Sequence, residues 1–133
     1  MFKLQNKVEI IIPKQDNNGQ EISSEAIKDA TNTITKIVGG CSITEIKRRW
    51  YSDDEERIME DNNINYEWYY NKGMDDINDQ QGLLQALSKI ARQLIIFYQQ
   101  EAVSIKVNGT LYIVDYEDLS LLSYELYDLM FKN

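Results

Sequence analysis

The chain has 133 residues, 43% of them hydrophobic, with a single cysteine, Cys41, and no histidine. That length fits one domain, residues 1–133, able to build a core without disulfide or metal staples. One cysteine cannot close an internal disulfide, the absent histidine removes the commonest general base and metal ligand, and a net charge of −8 repels a nucleic-acid backbone.

The first residues, Met1 to Lys7, lack the apolar stretch of a signal peptide. No apolar run approaches the roughly 18 residues of a membrane span, so a cytoplasmic protein without a membrane partner is expected. Abundant Ile, Asn, Tyr and Lys are residues with A+T-rich codons. They point to a low-GC bacterium, or to a phage or plasmid within one.

Val8-Glu9-Ile10-Ile11-Ile12 is a β-branched, nearly continuous apolar run, which predicts a central strand ended by Pro13. The polar loop Lys14 to Glu21 comes next. Ser23 or Ser24 is placed to cap a helix whose apolar stripe is Ile27, Ala30, Ile34, Ile37 and Val38. Gly39-Gly40 stops it. Cys41 to Tyr51 reads as a second strand. An acidic turn, Asp53 to Glu56, leads to a third strand, Arg57 to Tyr70, with a bulge or break expected at Asp61-Asn62-Asn63. Tyr66, Trp68 and Tyr70 share one face of it. Asn78 or Asp79 is the expected cap of a second helix with core stripe Leu83, Leu87, Ile90, Leu94 and Phe97.

Asn108-Gly109 is the preferred pair for a two-residue type I′ turn, because both central residues need positive φ. That turn pairs Val107 with Thr110, Ile105 with Tyr112 and Val103 with Val114 on one apolar face. Lys106 with Leu111 and Ser104 with Ile113 form the other. A last helix, Tyr116 to Phe131, carries Leu119, Leu122, Leu126 and Leu129. Leu111 and Ile113 need a cover, supplied by this helix or by a second subunit. A homodimer or higher oligomer with a contact at Leu111, Ile113, Leu122 and Leu126 is therefore expected. The order β-α-β-β-α-β-β-α predicts an α+β fold: a ferredoxin-like βαββαβ core with an added hairpin strand and a C-terminal helix.

No catalytic constellation is present, so binding without catalysis is the favoured reading, and no cofactor is implied. The loop Asp16-Asn17-Asn18-Gly19 lacks the ligand spacing of a calcium loop. The carboxylates at 53–56 and at Asp75, Asp76 and Asp79 read as solvated turns, with no metal assigned. Arg48, Arg49 and Arg57, three of the four arginines, lie within ten residues beside Trp50 and Tyr51. Arginine forks bind phosphate or carboxylate, and aromatic rings stack on bases. Arg48, Arg49, Trp50, Arg57 and Trp68 are the candidate ligand-binding residues for a nucleotide-like anion. Against this stands a structural role, with Trp50 in the core and the arginines paired to the 53–56 turn.

Four stretches carry a family resemblance. They are the Ile-Ile-Pro strand end with its Asp-Asn-Asn-Gly loop (Ile11 to Gly19), the Gly39-Gly40 stop, the strand closing on Arg49-Trp50, and Gln100-Glu101-Ala102-Val103. Across about residues 8–114 the chain resembles a group of small bacterial, plasmid and phage proteins of unknown function with a ferredoxin-like core. The resemblance implies the fold and a mobile-element origin, and brings no site residues with it. Small phage proteins lacking enzymatic residues often act by binding, which makes sequestration of a nucleotide-like signal the first functional expectation. The second is a module that binds or inhibits a host protein through an acidic face or through the hairpin and C-terminal helix. A metal-assisted phosphodiesterase is the third.

Overall fold

The computed structural model describes residues 1–132. Strand β1 (Asn6–Pro13) lies at the centre of a five-stranded antiparallel sheet, between β3 (Arg57–Tyr70) and β4 (Ala102–Val107). With β2 (Ser42–Ser52) outside β3 and β5 (Thr110–Asp115) outside β4, the order is β2-β3-β1-β4-β5. The first four strands have ferredoxin-like connectivity; β5 is the added edge.

Two helices cross between strands, and both begin where a side chain satisfies free backbone donors. Helix α1 (Glu25–Val38) is capped by Ser24, whose Oγ accepts from the backbone N–H of Ala26 and Ile27 at 3.2 and 3.5 Å. It ends at Gly39 with φ 103°, a left-handed conformation that glycine adopts without a Cβ clash. Helix α2 (Ile77–Arg92) is capped by Asp76, not by the expected Asn78 or Asp79. The Asp76 carboxylate accepts from the backbone N–H of both those residues, because it sits one residue ahead of the helix, where a side-chain oxygen reaches the free donors of the second and third helical positions.

Past Arg92 the helix widens into a π-helical turn, Gln93–Phe97, closed by the Tyr98 N–H donating to the Gln93 carbonyl at 3.1 Å. The extra residue in the turn rotates the chain beyond it. Leu94 and Ile95 stay in the core, whereas Phe97, expected on the core stripe, is 70% exposed. A 3₁₀ turn, Tyr116–Leu121, opened by a capping box between Asp115 and Asp118, leads into α3 (Leu122–Met130). The single continuous helix expected from Tyr116 thus forms in two parts.

Among the described residues, the helices all pack on one face of the sheet. Val8, Ile10, Ile12, Trp68, Ile105 and Val114 meet Ile34, Leu87, Ile90 and Leu126 there in one core. The hairpin has the expected register, Val107 opposite Thr110 through Val103 opposite Val114, with Asn108 and Gly109 at φ 51° and 84°.

Strand β3 shows no break at Asp61-Asn62-Asn63. Arg48, Lys47 and Ile46 of β2 oppose these residues in unbroken order. What changes at Asn63 is the third strand: β1 pairs with β3 only as far as Pro13 opposite Asn63. Beyond it, β2 and β3 continue alone to Ser52 opposite Arg57 as a two-stranded ribbon.

Candidate functional site

Because side chains alternate along strands, the face away from the helices can be read row by row. Its rows, from β2 across to β5, are Ser42-Glu67-Glu9-Lys106-Leu111 and Thr44-Asn65-Ile11-Ser104-Ile113. Next comes Ile46-Asn63-Pro13. On the ribbon the same face carries Arg48 with Asp61, Trp50 with Met59, and Ser52 with Arg57.

No helix covers this face among the described residues, yet Glu9, Ile11, Asn63 and Ser104 are buried. The ribbon supplies the cover. Arg48 Nη1 donates to Ser104 Oγ at 3.2 Å, from β2 to β4. Three strand spacings, roughly 14 Å in a flat sheet, exceed the reach of an arginine side chain. The twisted ribbon therefore curls over the sheet and makes the open face concave.

The floor of this concavity is polar and incompletely paired. Asn65 Nδ2 donates to Glu9 Oε1 at 3.1 Å, leaving Asn65 Oδ1 buried without a partner. Asn63 is 2% exposed, and its Nδ2 is likewise buried without a partner. An unpaired buried donor or acceptor costs about 1–3 kcal/mol. These two groups lie two residues apart on the same face of one strand. Glu67 beside them accepts from Lys7 Nζ at 3.4 Å. The nearby Glu9 and Glu67 carboxylates hold the Lys7 ammonium above its ordinary pKa.

The structure divides the candidate ligand-binding residues. Arg48, Trp50 and Arg57 share the open face; Arg49 points to the helix side of the ribbon, where it pairs with Glu60 at 2.9 Å. Arg49 and Lys47 hold the Glu60 carboxyl below its usual range. Arg57 pairs with Glu55 in the tip turn at 3.2 Å. Trp50, expected in the core under the structural alternative, is 52% exposed. Trp68 is fully buried against the helices, stacked on Tyr66, and its Nε1 donates to Thr35 Oγ1 at 3.0 Å. It has neither a free face nor a free polar atom to offer a ligand.

The hairpin residues divide too. Leu111 and Ile113 are exposed on the open face, Ile113 by 57%. The C-terminal helix does not cover them, because it packs on the opposite face. Leu122 and Leu126 of α3 are buried in the core, so their surface is already spent inside the chain.

Cys41 precedes β2 and is half-buried. Burial pushes its thiol above its ordinary pKa, only partly offset by hydrogen bonding to Thr35 and the backbone of Glu67, a setting that disfavours a thiolate nucleophile. Among the described residues no three His, Cys, Asp or Glu side chains are gathered to hold a metal ion. Among the described residues no helix is long and apolar enough to cross a membrane.

The fold is similar to that of solved phage SAM lyases. A phage SAM lyase solved in complex with S-methyl-5′-thioadenosine superposes with a TM-score of 0.53, at 16% identity over 88% of this chain and 96% of that one. A phage SAM lyase in its apo state gives 0.51 at 18% identity, with the same coverage of both chains. CutA1 from Pyrococcus horikoshii gives 0.42 at 12% identity, over 90% of this chain and 96% of that one. At these identities the likeness is one of fold. No protein-family model and no curated protein matches the sequence.

Glu9, Asn63, Asn65 and Ser104 had a signal in the sequence that arginines and aromatics overshadowed. Glu9 interrupts an otherwise apolar run on the central strand, and Asn63 and Asn65 repeat at the period of a strand face. A carboxylate in the middle of a buried strand needs partners, and the alternation indicates which side they come from.

Proposed function

We propose that this chain is a small binding protein that takes a nucleotide-like molecule on the open face of its sheet, beneath the curled ribbon. The observation that carries this reading is the pair of unpartnered buried groups, Asn63 Nδ2 and Asn65 Oδ1, on a concave face beside Glu9 and Arg48. A donor and an acceptor held in place are suited to a polar planar edge such as that of a nucleobase. Trp50, exposed on the same face, offers a ring for stacking, and Arg48 and Arg57 offer forks for an anionic group. From Asn63 to Met59, the partner of Trp50, is four strand residues. At about 3.3 Å each this is roughly the length of an extended mononucleotide. The shared fold with a phage protein solved with a nucleoside bound lends support and is consistent with a phage or mobile-element origin. The reading joins small-molecule binding to sequestration, with no chemical step assigned to the chain.

Thermal-shift and calorimetric titration with S-methyl-5′-thioadenosine, adenosine, AMP and cyclic and dinucleotides test it. A ligand at a hundred times its Kd stabilises by about 2.7 kcal/mol, roughly 8–10 °C for a chain of this size. Trp50→Ala is expected to weaken binding by about 1–3 kcal/mol. If none of these compounds raises Tm at millimolar concentration, or if one binds Trp50→Ala and Asn63→Leu as well as the parent, the site is wrongly assigned.

A further inference from the structure

Strand β5 forms one edge of the sheet, and the direction of its backbone groups can be assigned residue by residue. The Asn108 N–H donates to the Lys7 carbonyl next to β4 at 2.9 Å. Backbone groups alternate sides along a strand. Lys106 and Ser104 therefore turn theirs toward β1, and Val107, Ile105 and Val103 turn theirs toward β5. Their partners on β5 are Thr110, Tyr112 and Val114. This leaves the N–H and C=O of Leu111 and Ile113 pointing outward, where no strand lies beyond β5 among the described residues. The Asp115 N–H, next in that series, is already taken by Asp118 Oδ2 at 3.0 Å. The free edge is thus short and centred on Tyr112. Sheet edges are commonly blunted by lysine, proline or a bulge. Strand β5 contains no lysine or proline, and its register against β4 is unbroken.

Beside this edge, on the helix side of the sheet, a cleft of about 140 Å³ separates β5 from α3. That is room for a single long side chain. Tyr112 and Val114 line it from β5, and Leu122 and Leu129 line it from α3. Among the described residues its charged lining is Asp118 and Glu125, both acidic, with no lysine or arginine. Neither carboxylate takes part in the ion pairs of the described residues. On the other face of the same strand, Leu111 and Ile113 are exposed.

We propose that β5 takes an extended segment of another protein as a sixth, antiparallel strand, and that this segment carries a lysine or arginine between two apolar residues. The register dictates that order. Residues opposite Leu111 and Ile113 exchange main-chain hydrogen bonds with them and lay their side chains against those two on the open face. The residue between stands opposite Tyr112 and points to the helix side, over the cleft. Its apolar stem packs on Leu122 and Leu129, and its cationic head meets Asp118 and Glu125. Strand addition of this kind draws affinity from the main chain and specificity from pockets for alternate side chains. A second copy of this chain brings no free cation to that position through either of its sheet edges. On β5 the helix-side residues are Thr110, Tyr112 and Val114. On β2, the other edge, Lys47 and Arg49 are already held by Glu60 at 3.4 and 2.9 Å. Asp118 and Glu125 lie on the helix side of the sheet, so the proposal does not rest on the nucleotide site of the open face.

The probe is the fluorescein-labelled peptide Ser-Thr-Val-Lys-Val-Thr-Ser, blocked at its C-terminus. Anisotropy titration is expected to show saturable binding with a Kd below about 0.5 mM. Replacing its lysine with glutamate is expected to weaken binding about tenfold. N-methylating its two valines, which removes the donors facing β5, is expected to do the same, whereas N-methylating the lysine, whose N–H faces away, is not. Glu125→Lys, at an exposed position, is expected to weaken the lysine peptide about tenfold and to strengthen the glutamate peptide, while circular dichroism and Tm report an intact fold. Equal affinity for the lysine and glutamate peptides, undiminished binding after N-methylation of the valines, undiminished binding to Glu125→Lys, or no saturation at about 1 mM would each overturn the proposal. So would sedimentation showing an oligomer of this chain that Glu125→Lys dissolves, since the cleft would then belong to a second copy.

Discussion

Replacing Asn63 with leucine separates a residue kept for binding from one kept for folding. Asn63 is buried, its amide donor has no partner, and its cross-strand neighbours are Ile46 and Pro13. Leucine has the same branched outline without the polar atoms. It removes an unpaired buried donor worth about 1–3 kcal/mol and adds apolar contact with Ile46 and Pro13. Overpacking by the somewhat larger side chain offsets part of this. The expected net is a gain of about 1–2 kcal/mol. With about 2.1 cal/mol/K of unfolding entropy per residue, 133 residues convert that into roughly 4–7 °C in Tm. Guanidinium unfolding should show the same gain as a higher midpoint at unchanged slope. Nucleotide binding should be lost in the same variant. A less stable Asn63→Leu protein would refute the reasoning, because it would mean that the amide is satisfied in the free protein and belongs to the fold.

Three further predictions concern the two faces of the sheet. Tyr70 is buried, its hydroxyl donates to the Met130 carbonyl at 3.0 Å, and burial pushes its phenol up to about 12. An unfolded tyrosine titrates near 10. The stabilisation from keeping Tyr70 protonated is therefore complete below pH 10 and is lost as pH rises from 10 through 12, up to about 2–3 kcal/mol. Urea unfolding across that range should show the slope, and Tyr70→Phe should remove this residue's share while costing about 1 kcal/mol at pH 7 for the lost hydrogen bond. Trp68→Ala should cost about 3–5 kcal/mol by opening a cavity at the fully buried ring; a loss below 1 kcal/mol by denaturant titration would contradict its place in the core. Ile113→Lys should change monomer stability by less than about 0.5 kcal/mol, since the residue is exposed. If the open hairpin face seats a second subunit, the same substitution should shift sedimentation to monomer; an oligomer left intact would move that contact elsewhere.

Most of the fold was legible because its signals are local. The Asn108-Gly109 turn dictates a register, Ser24 and Gly39 bracket a helix, and alternation places Tyr66, Trp68 and Tyr70 on one side. The departures were local choices with near-equal competitors. Asp76 outcompetes two neighbouring caps by geometry, and the π turn shifts Phe97 outward although the apolar pattern through it fits an ordinary helix. The candidate site was only half legible. Alternation put Arg48 and Trp50 on one face and Arg49 on the other, but did not say which face the helices would take. That choice depends on packing over the whole sheet, and it consigned Trp68 to the core. The curl that brings Arg48 to Ser104 joins residues 56 positions apart, a relation no short window contains.

The wide turn at the end of α2 also separates two clocks. A helix advances by about 3.6 residues per turn, and a strand repeats every two. The chain must leave α2 with its core face correct and reach β4 with Val103, Ile105 and Val107 directed inward. The residue absorbed between Gln93 and Phe97 takes up the mismatch, and Gln99, at φ 56°, completes the change of direction. The Gln100 N–H ties the exit back to the Leu94 carbonyl at 3.0 Å. The joint acts as a vernier: a one-residue change in helix length can be taken up there, leaving the register of β4 and the hairpin where the sheet needs them.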